Sequence, residues 1–120
     1  MFVSENLTVN EKGHLAVSGV DTVEIAKEYG TPLYVMDEAM IRSACRRFKK
    51  SIDEFYGGAG LVCYASKAFS CKEIYRIVDS EGVGADVVSG GELYTAASVG
   101  FPMDKVCFHG NNKTDEELEL

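Results

Sequence analysis

Lys67 stands at the end of the apolar run L-V-C-Y-A-S and just before A-F-S, where a helix is due to begin. An amine so placed is carried to the C-terminal end of a buried strand. When partly desolvated, or held near other cations, a lysine titrates lower than in water and can attack an aldehyde as the free amine. The bland reading is a lysine that ends the strand and reaches for solvent. Asp86, in G-A-D-V-V, comes nineteen positions later within a second strand candidate. Its carboxylate could orient the amine or hold its positive charge, or it could serve as a helix N-cap or loop acceptor before Ser89. Glu92, in S-G-G-E-L, suits a first-turn partner for the dipole of a helix opened by Ser89. His109 ends V-C-F-H, a third strand candidate, as a pocket residue or as a histidine bonded to backbone. Asn111 and Asn112 follow as loop formers or polar lining.

The elements that must position these groups follow from periodicity. Residues 7–9 and 15–17 are short β-prone runs flanking N-E-K-G-H, which suits a hairpin loop. Asp21 can cap a helix through Tyr29, with Glu24 at the capping-box position, Gly30 at its end and Pro32 forbidding continuation. From there strand and helix alternate. L-Y-V-M is a strand candidate, and residues 38–55 carry Met40, Ile41, Ala44, Phe48, Ile52 and Phe55 at helical spacing. L-V-C-Y-A precedes a helix over 71–79, A-D-V-V one over 92–99, and V-C-F-H an acidic stretch.

Near-continuous apolar strands imply burial on both faces, as in a parallel sheet covered by helices. A doubly wound sheet and a (β/α) barrel both fit, and repeats of roughly 20–25 residues favour the barrel. In a barrel the βα loops converge at the C-terminal strand ends around a shared cavity, the end at which Lys67, Asp86 and His109 are expected. A complete (β/α)8 barrel takes about 250 residues, so three or four units predict part of a longer protein.

Other function classes fare poorly. Acidic residues outnumber basic ones by 19 to 12, and the densest basic cluster, Arg46, Arg47, Lys49 and Lys50, suits the wet face of a helix better than a nucleic-acid surface. The N-terminus has no signal-peptide pattern and no stretch could span a membrane, which predicts a cytoplasmic protein. Cys45, Cys63, Cys71 and Cys107 lie at irregular spacings without C-x-x-C, so they are expected as reduced, mostly buried thiols, with neither a metal site nor a disulfide framework. Gly82, Gly84, Gly90 and Gly91 complete no phosphate-loop pattern; Gly90 and Gly91 are expected to permit close packing where a helix starts.

V-C-Y-A-S-K-A-F closely resembles the cofactor-lysine segment of the fold type III pyridoxal phosphate decarboxylases. G-A-D-V-V-S-G-G-E-L resembles their next barrel strand. With T-P-L-Y-V-M-D-E and H-G-N-N-K, these match the diaminopimelate decarboxylase family in order and approximate spacing over nearly the whole chain. The resemblance implies an α/β fold: a lead-in segment over 1–36 whose short β part belongs to the family's second β domain, then the first part of an alanine racemase-like (β/α)8 TIM barrel over 37–120. It implies pyridoxal 5'-phosphate as cofactor, Lys67 as the lysine bonded to it, and Asp86 beside it. It further implies decarboxylation of meso-2,6-diaminopimelate to L-lysine and carbon dioxide, and a homodimer. The alternatives are a related ornithine, arginine or lysine decarboxylase, a racemase, or a pyridoxal phosphate-binding half-barrel without activity. The family's phosphate site, ring-nitrogen partner, stacking histidine and substrate-gripping arginine and tyrosine would fall beyond Leu120, so residues 1–120 alone are expected to be inactive.

Overall fold

The computed structural model describes residues 4–120, which divide into two compact units, Met1–Glu38 and Ala39–Leu120. In the first, β1 (Leu7–Val9), β2 (Leu15–Val17) and β3 (Val20–Asp21) form an antiparallel sheet in that order. The hairpin loop expected between β1 and β2 is tied by Asn10, whose Oδ1 accepts from the backbone N–H groups of Lys12 and His14 at 3.0 Å each. β3 escaped sequence reading, because two residues carry no period.

Asp21 ends β3 and caps α1 (Thr22–Tyr29), accepting from the backbone N–H groups of Val23 and Glu24 at 2.9 and 3.4 Å. Its other contacts are His14 Nδ1 at 2.9 Å and Asn10 Nδ2 at 2.8 Å. Burial pushes this carboxyl up, but the hydrogen bonds from His14, Asn10 and the two backbone groups outweigh it and hold the pKa at about 2. Glu24 does not close the expected capping box; it pairs with Lys12 and Lys27, at 3.9 and 3.1 Å. Gly30, at φ 81°, ends the helix as anticipated.

Residues 33–36 correct an expectation: L-Y-V-M joins no sheet. Hydrophobicity and β-branching favour an extended backbone, but a strand also needs a ladder, and these four side chains are 42–87% exposed.

In the second unit, α2 (Glu38–Tyr56) begins at the expected residue and lays Ile41 and Cys45 against the core, while Phe48 and Phe55 on the same apolar stripe remain exposed. β4 (Cys63–Ala65), β5 (Gly84–Val87) and β6 (Val106–Phe108) form a parallel sheet in the order β4-β5-β6. α3 (Lys72–Ser80) and α4 (Gly90–Ala97) make the crossovers between them, so the alternation of strand and helix is as anticipated. Ile74, Tyr75, Val78, Val83, Ala85, Val87, Ala96 and Phe101 form the core, with Tyr75 and Phe101 edge to face at 5.8 Å.

Strand alternation puts Ala85 and Val87 into that core and turns Gly84 and Asp86 to the opposite face. Burial on both faces was expected; among the described residues helices cover one, and Ala65 and Cys107, in register with Asp86, are exposed on the other. The thiols depart from expectation for the same reason: Cys45, Cys63 and Cys71 are half-buried and Cys107 is exposed. All four are free. Burial pushes the Cys63 thiol up, helped by Cys107 and Asp86 nearby.

Glu81, just after α3, joins that helix to α2. Its carboxylate takes Arg46 Nε and Nη2 at 2.8 and 2.7 Å and Arg42 Nη1 at 2.9 Å. The Arg46 and Arg42 guanidiniums hold its pKa at about 2. Part of the basic cluster expected on a wet face is therefore a structural clamp. No helix among the described residues is long and apolar enough to cross a membrane.

Candidate functional site

β4 ends at Ala65, and a single 3-10 turn, Ser66–Ala68, lifts Lys67 from the sheet. Ser66 is fully buried, and its Oγ donates to the Asp86 carbonyl at 2.9 Å. Tyr64 Oη donates to the Phe69 carbonyl at 2.9 Å, closing the other side of the turn. The Lys67 backbone is thus moored on both flanks, while its side chain is exposed and makes no hydrogen bond or ion pair among the described residues. Sequence reading missed both moorings. The signal available was a serine directly after an apolar strand, where burial requires a hydrogen-bond partner.

Asp86 pairs in register with Ala65 on one side and Cys107 on the other, one residue before the end of β5. It caps no helix; that role belongs to Ser89, whose Oγ accepts from the Glu92 N–H at 3.3 Å. Asp86 Oδ1 is occluded from solvent and has no hydrogen-bond partner among the described residues. His109 continues the β5–β6 ladder by one residue, its N–H donating to the Val87 carbonyl at 2.9 Å. By alternation its ring lies on the Asp86 face, with Nδ1 3.9 Å from Oδ1. The three strand ends therefore bring Lys67, Asp86 and His109 to one end of the sheet.

Glu92 lies in the first turn of α4 and turns its carboxylate to the backbone, accepting from the Val88 N–H at 2.5 Å. It clasps the turn after Asp86. A second carboxylate does likewise: Glu117, in the capping box of α5 (Asp115–Leu118), accepts from the Gly90 N–H at 2.9 Å. The Gly90 and Thr114 N–H groups hold the Glu117 pKa below the usual carboxylate range. A Cβ on Gly90 would lie 3.2 Å from Leu120 Cδ1 and 3.3 Å from Glu117 Cγ, so this glycine admits the close packing expected of it; Gly91 meets only Ser89 Oγ at 3.9 Å. In H-G-N-N-K, Asn112 takes a left-handed φ of 56° as a loop former and Lys113 Nζ sits 4.7 Å from the Phe108 ring centre. Asn111 is exposed in the same loop.

An apolar concavity of this unit lies elsewhere: about 270 Å³, lined by side chains that include Ile41, Phe48 and Tyr64 of α2 and β4. It contains none of Lys67, Asp86 or His109, and its lining offers no charged group. Among the described residues no three His, Cys, Asp or Glu side chains gather as metal ligands. What the strand ends offer is an accessible amine after β4 and an under-bonded carboxylate on the adjacent β5, groups suited to covalent capture of a carbonyl group.

Comparison with known proteins agrees with this chemistry. The family described as pyridoxal-dependent decarboxylase, pyridoxal binding domain, matches residues 38–120, and the chain belongs to it. A diaminopimelate decarboxylase of Bacillus methanolicus is 54% identical over the whole chain. The chain spans 28% of that relative's length. Among solved structures, diaminopimelate decarboxylase from M. jannaschii in co-complex with L-lysine superimposes with a TM-score of 0.82 at 39% identity, covering 98% of this chain and 28% of that one. A lysine/ornithine decarboxylase from Vibrio vulnificus complexed with cadaverine is more distant, with a TM-score of 0.71 and 25% identity over 81% of this chain and 25% of its own.

Proposed function

We propose that this chain carries the lysine-bearing part of the active site of a pyridoxal phosphate-dependent diaminopimelate decarboxylase, which converts meso-2,6-diaminopimelate to L-lysine and carbon dioxide. The observation that carries the reading is the exposed amine of Lys67 on a fixed turn at the end of β4, with the occluded, unpartnered Oδ1 of Asp86 on the adjacent strand β5. Identity of 54% to a diaminopimelate decarboxylase, against 25% to the lysine/ornithine enzyme, supports the choice of substrate.

These residues fit the cofactor. Lys67 would bond it covalently, and Asp86 would lie beside that bond as an acceptor. Pyridoxal phosphate, when bound, supplies an electron sink for the carbanion left as a carboxylate departs. Lys67 would hold the group through its amine and, when that amine is free, would carry a proton to or from the reacting carbon. Asp86 stabilises the ammonium form of Lys67 whenever that amine is released. Ser66 and Tyr64 keep the backbone of Lys67 in place through both stages. Glu92 acts on backbone, fixing the turn that follows Asp86.

Residues 37–120 form, in this reading, the first part of an alanine racemase-like (β/α)8 barrel, and 1–36 lead in from the family's second β domain. The parallel order β4-β5-β6 with helical crossovers supports it. The whole protein is a cytoplasmic homodimer acting on a free amino acid.

The test uses the full-length protein loaded with pyridoxal phosphate. Borohydride reduction followed by peptide mapping is expected to leave the cofactor on Lys67, and Lys67→Ala to retain none covalently; a modified peptide elsewhere overturns the site. Carbon dioxide release is expected from meso-diaminopimelate and not from ornithine or arginine, and the reverse preference overturns the substrate.

A further inference from the structure

We propose that His109 is the positioning residue for Asp86, donating from Nδ1 to Oδ1 and so holding the carboxylate aimed toward the strand that carries Lys67. The proposal rests on the assignment of Lys67 and Asp86 to the cofactor site. β5 is the central strand of the three, with Lys67 beyond β4 on one flank and His109 beyond β6 on the other. Asp86 therefore has two neighbours for its two carboxylate oxygens.

An occluded carboxylate oxygen without a donor is costly, because desolvation is incurred and no hydrogen bond offsets it. Five groups could supply the donor. Lys67 is needed for covalent chemistry and cannot serve as a permanent partner. Cys63 and Cys107 share the face, but thiols are weak donors. Lys113, the other cation of the β6 loop, is stacked on Phe108. His109 Nδ1 is already 3.9 Å from Oδ1, beyond hydrogen-bond length but short of the gap a water would fill. Its backbone is fixed by the bond to Val87, while the side chain is 70% exposed and so free to turn the remaining distance.

Because imidazole contributes no core packing here, its loss should act on Asp86 rather than on folding. The test measures the dissociation constant of pyridoxal phosphate for the full-length protein in a double-mutant cycle of His109→Ala and Asp86→Asn, with His109→Asn as the conservative variant. Asparagine places an amide N–H near the position of Nδ1.

His109→Ala is expected to weaken cofactor binding about 10-fold, the size of a charge-assisted hydrogen bond, without lowering the unfolding temperature. His109→Asn should recover most of that loss. In the Asp86→Asn background, His109→Ala should add little. Equal effects of His109→Ala in both backgrounds, or no difference between alanine and asparagine at 109, overturn the proposal while leaving the site intact. Unchanged affinity in Asp86→Asn alone overturns the site assignment, and the proposal with it.

Discussion

Gly84 offers the sharpest test of how the sheet holds the site. A Cβ at this position would stand 2.5 Å from the Lys105 carbonyl oxygen and 3.0 Å from both Cys63 Sγ and Leu61 Cδ2. The two 3.0 Å contacts are with side chains that can turn aside. The carbonyl is backbone at the entrance to β6, so Gly84→Ala must move that strand outward by at least 0.5 Å to reach even a 3.0 Å contact. Overpacking of this kind costs about 1–3 kcal/mol. Backbone strain on the central strand puts Gly84→Ala at the upper end, about 2–3 kcal/mol. Gly91→Ala is the control: its Cβ meets only Ser89 Oγ at 3.9 Å, and within a helix alanine should gain about 0.4–1 kcal/mol through the unfolded chain. Urea unfolding of the two variants should therefore shift in opposite directions, with unchanged slopes. Asp86 lies two residues from Gly84 on the same face, so Gly84→Ala should also weaken pyridoxal phosphate binding, and Gly91→Ala should not. Equal stability of the two variants would refute the claim that β5 and β6 are in backbone contact at Gly84.

Two further outcomes follow from the hydrogen bonding. Ser66→Ala removes the donor to the Asp86 carbonyl and should cost about 1 kcal/mol while slowing covalent attachment of the cofactor at Lys67, read by borohydride trapping over time; wild-type attachment kinetics would mean the turn does not depend on Ser66. The Glu81 clamp gives a pH signature. Its folded pKa is lowered to about 2, so its contribution is present above the ordinary carboxylate range, near pH 4.5, and is lost as pH falls through about 2. Glu81→Gln should remove that component, flattening stability between those pH values. A wild-type acid profile in Glu81→Gln would show that Arg42 and Arg46 do not set it.

The shared location of Lys67, Asp86 and His109 was legible in the sequence because strands are. L-V-C-Y-A-S-K and V-C-F-H each close an apolar run on a polar residue, A-D-V-V carries one within its run, and the parallel sheet brings all three to one end. The first hairpin and the Asp21 cap were equally legible, being local. What was not legible depends on partners distant in sequence. L-Y-V-M has strand composition, but a ladder is a property of two segments. Glu92 looks like an active-site acid in a list of residues; only the fold shows its carboxylate spent on the Val88 N–H. Glu117 reaches Gly90 across 27 positions, a separation that no window along the sequence spans. Cys107 reads as core by composition, yet the alternation of β6 turns it to the face that the helices leave uncovered.

The two moorings around Lys67 bear on speed. Side-chain rotamers interconvert in picoseconds to nanoseconds, whereas loops rearrange over nanoseconds to microseconds. With Ser66 tied to β5 and Tyr64 closing the turn at Phe69, an amine that lets go of its partner searches only its own rotamers to find it again. In the proposed active site, recapture would then be a local event that does not wait for the backbone.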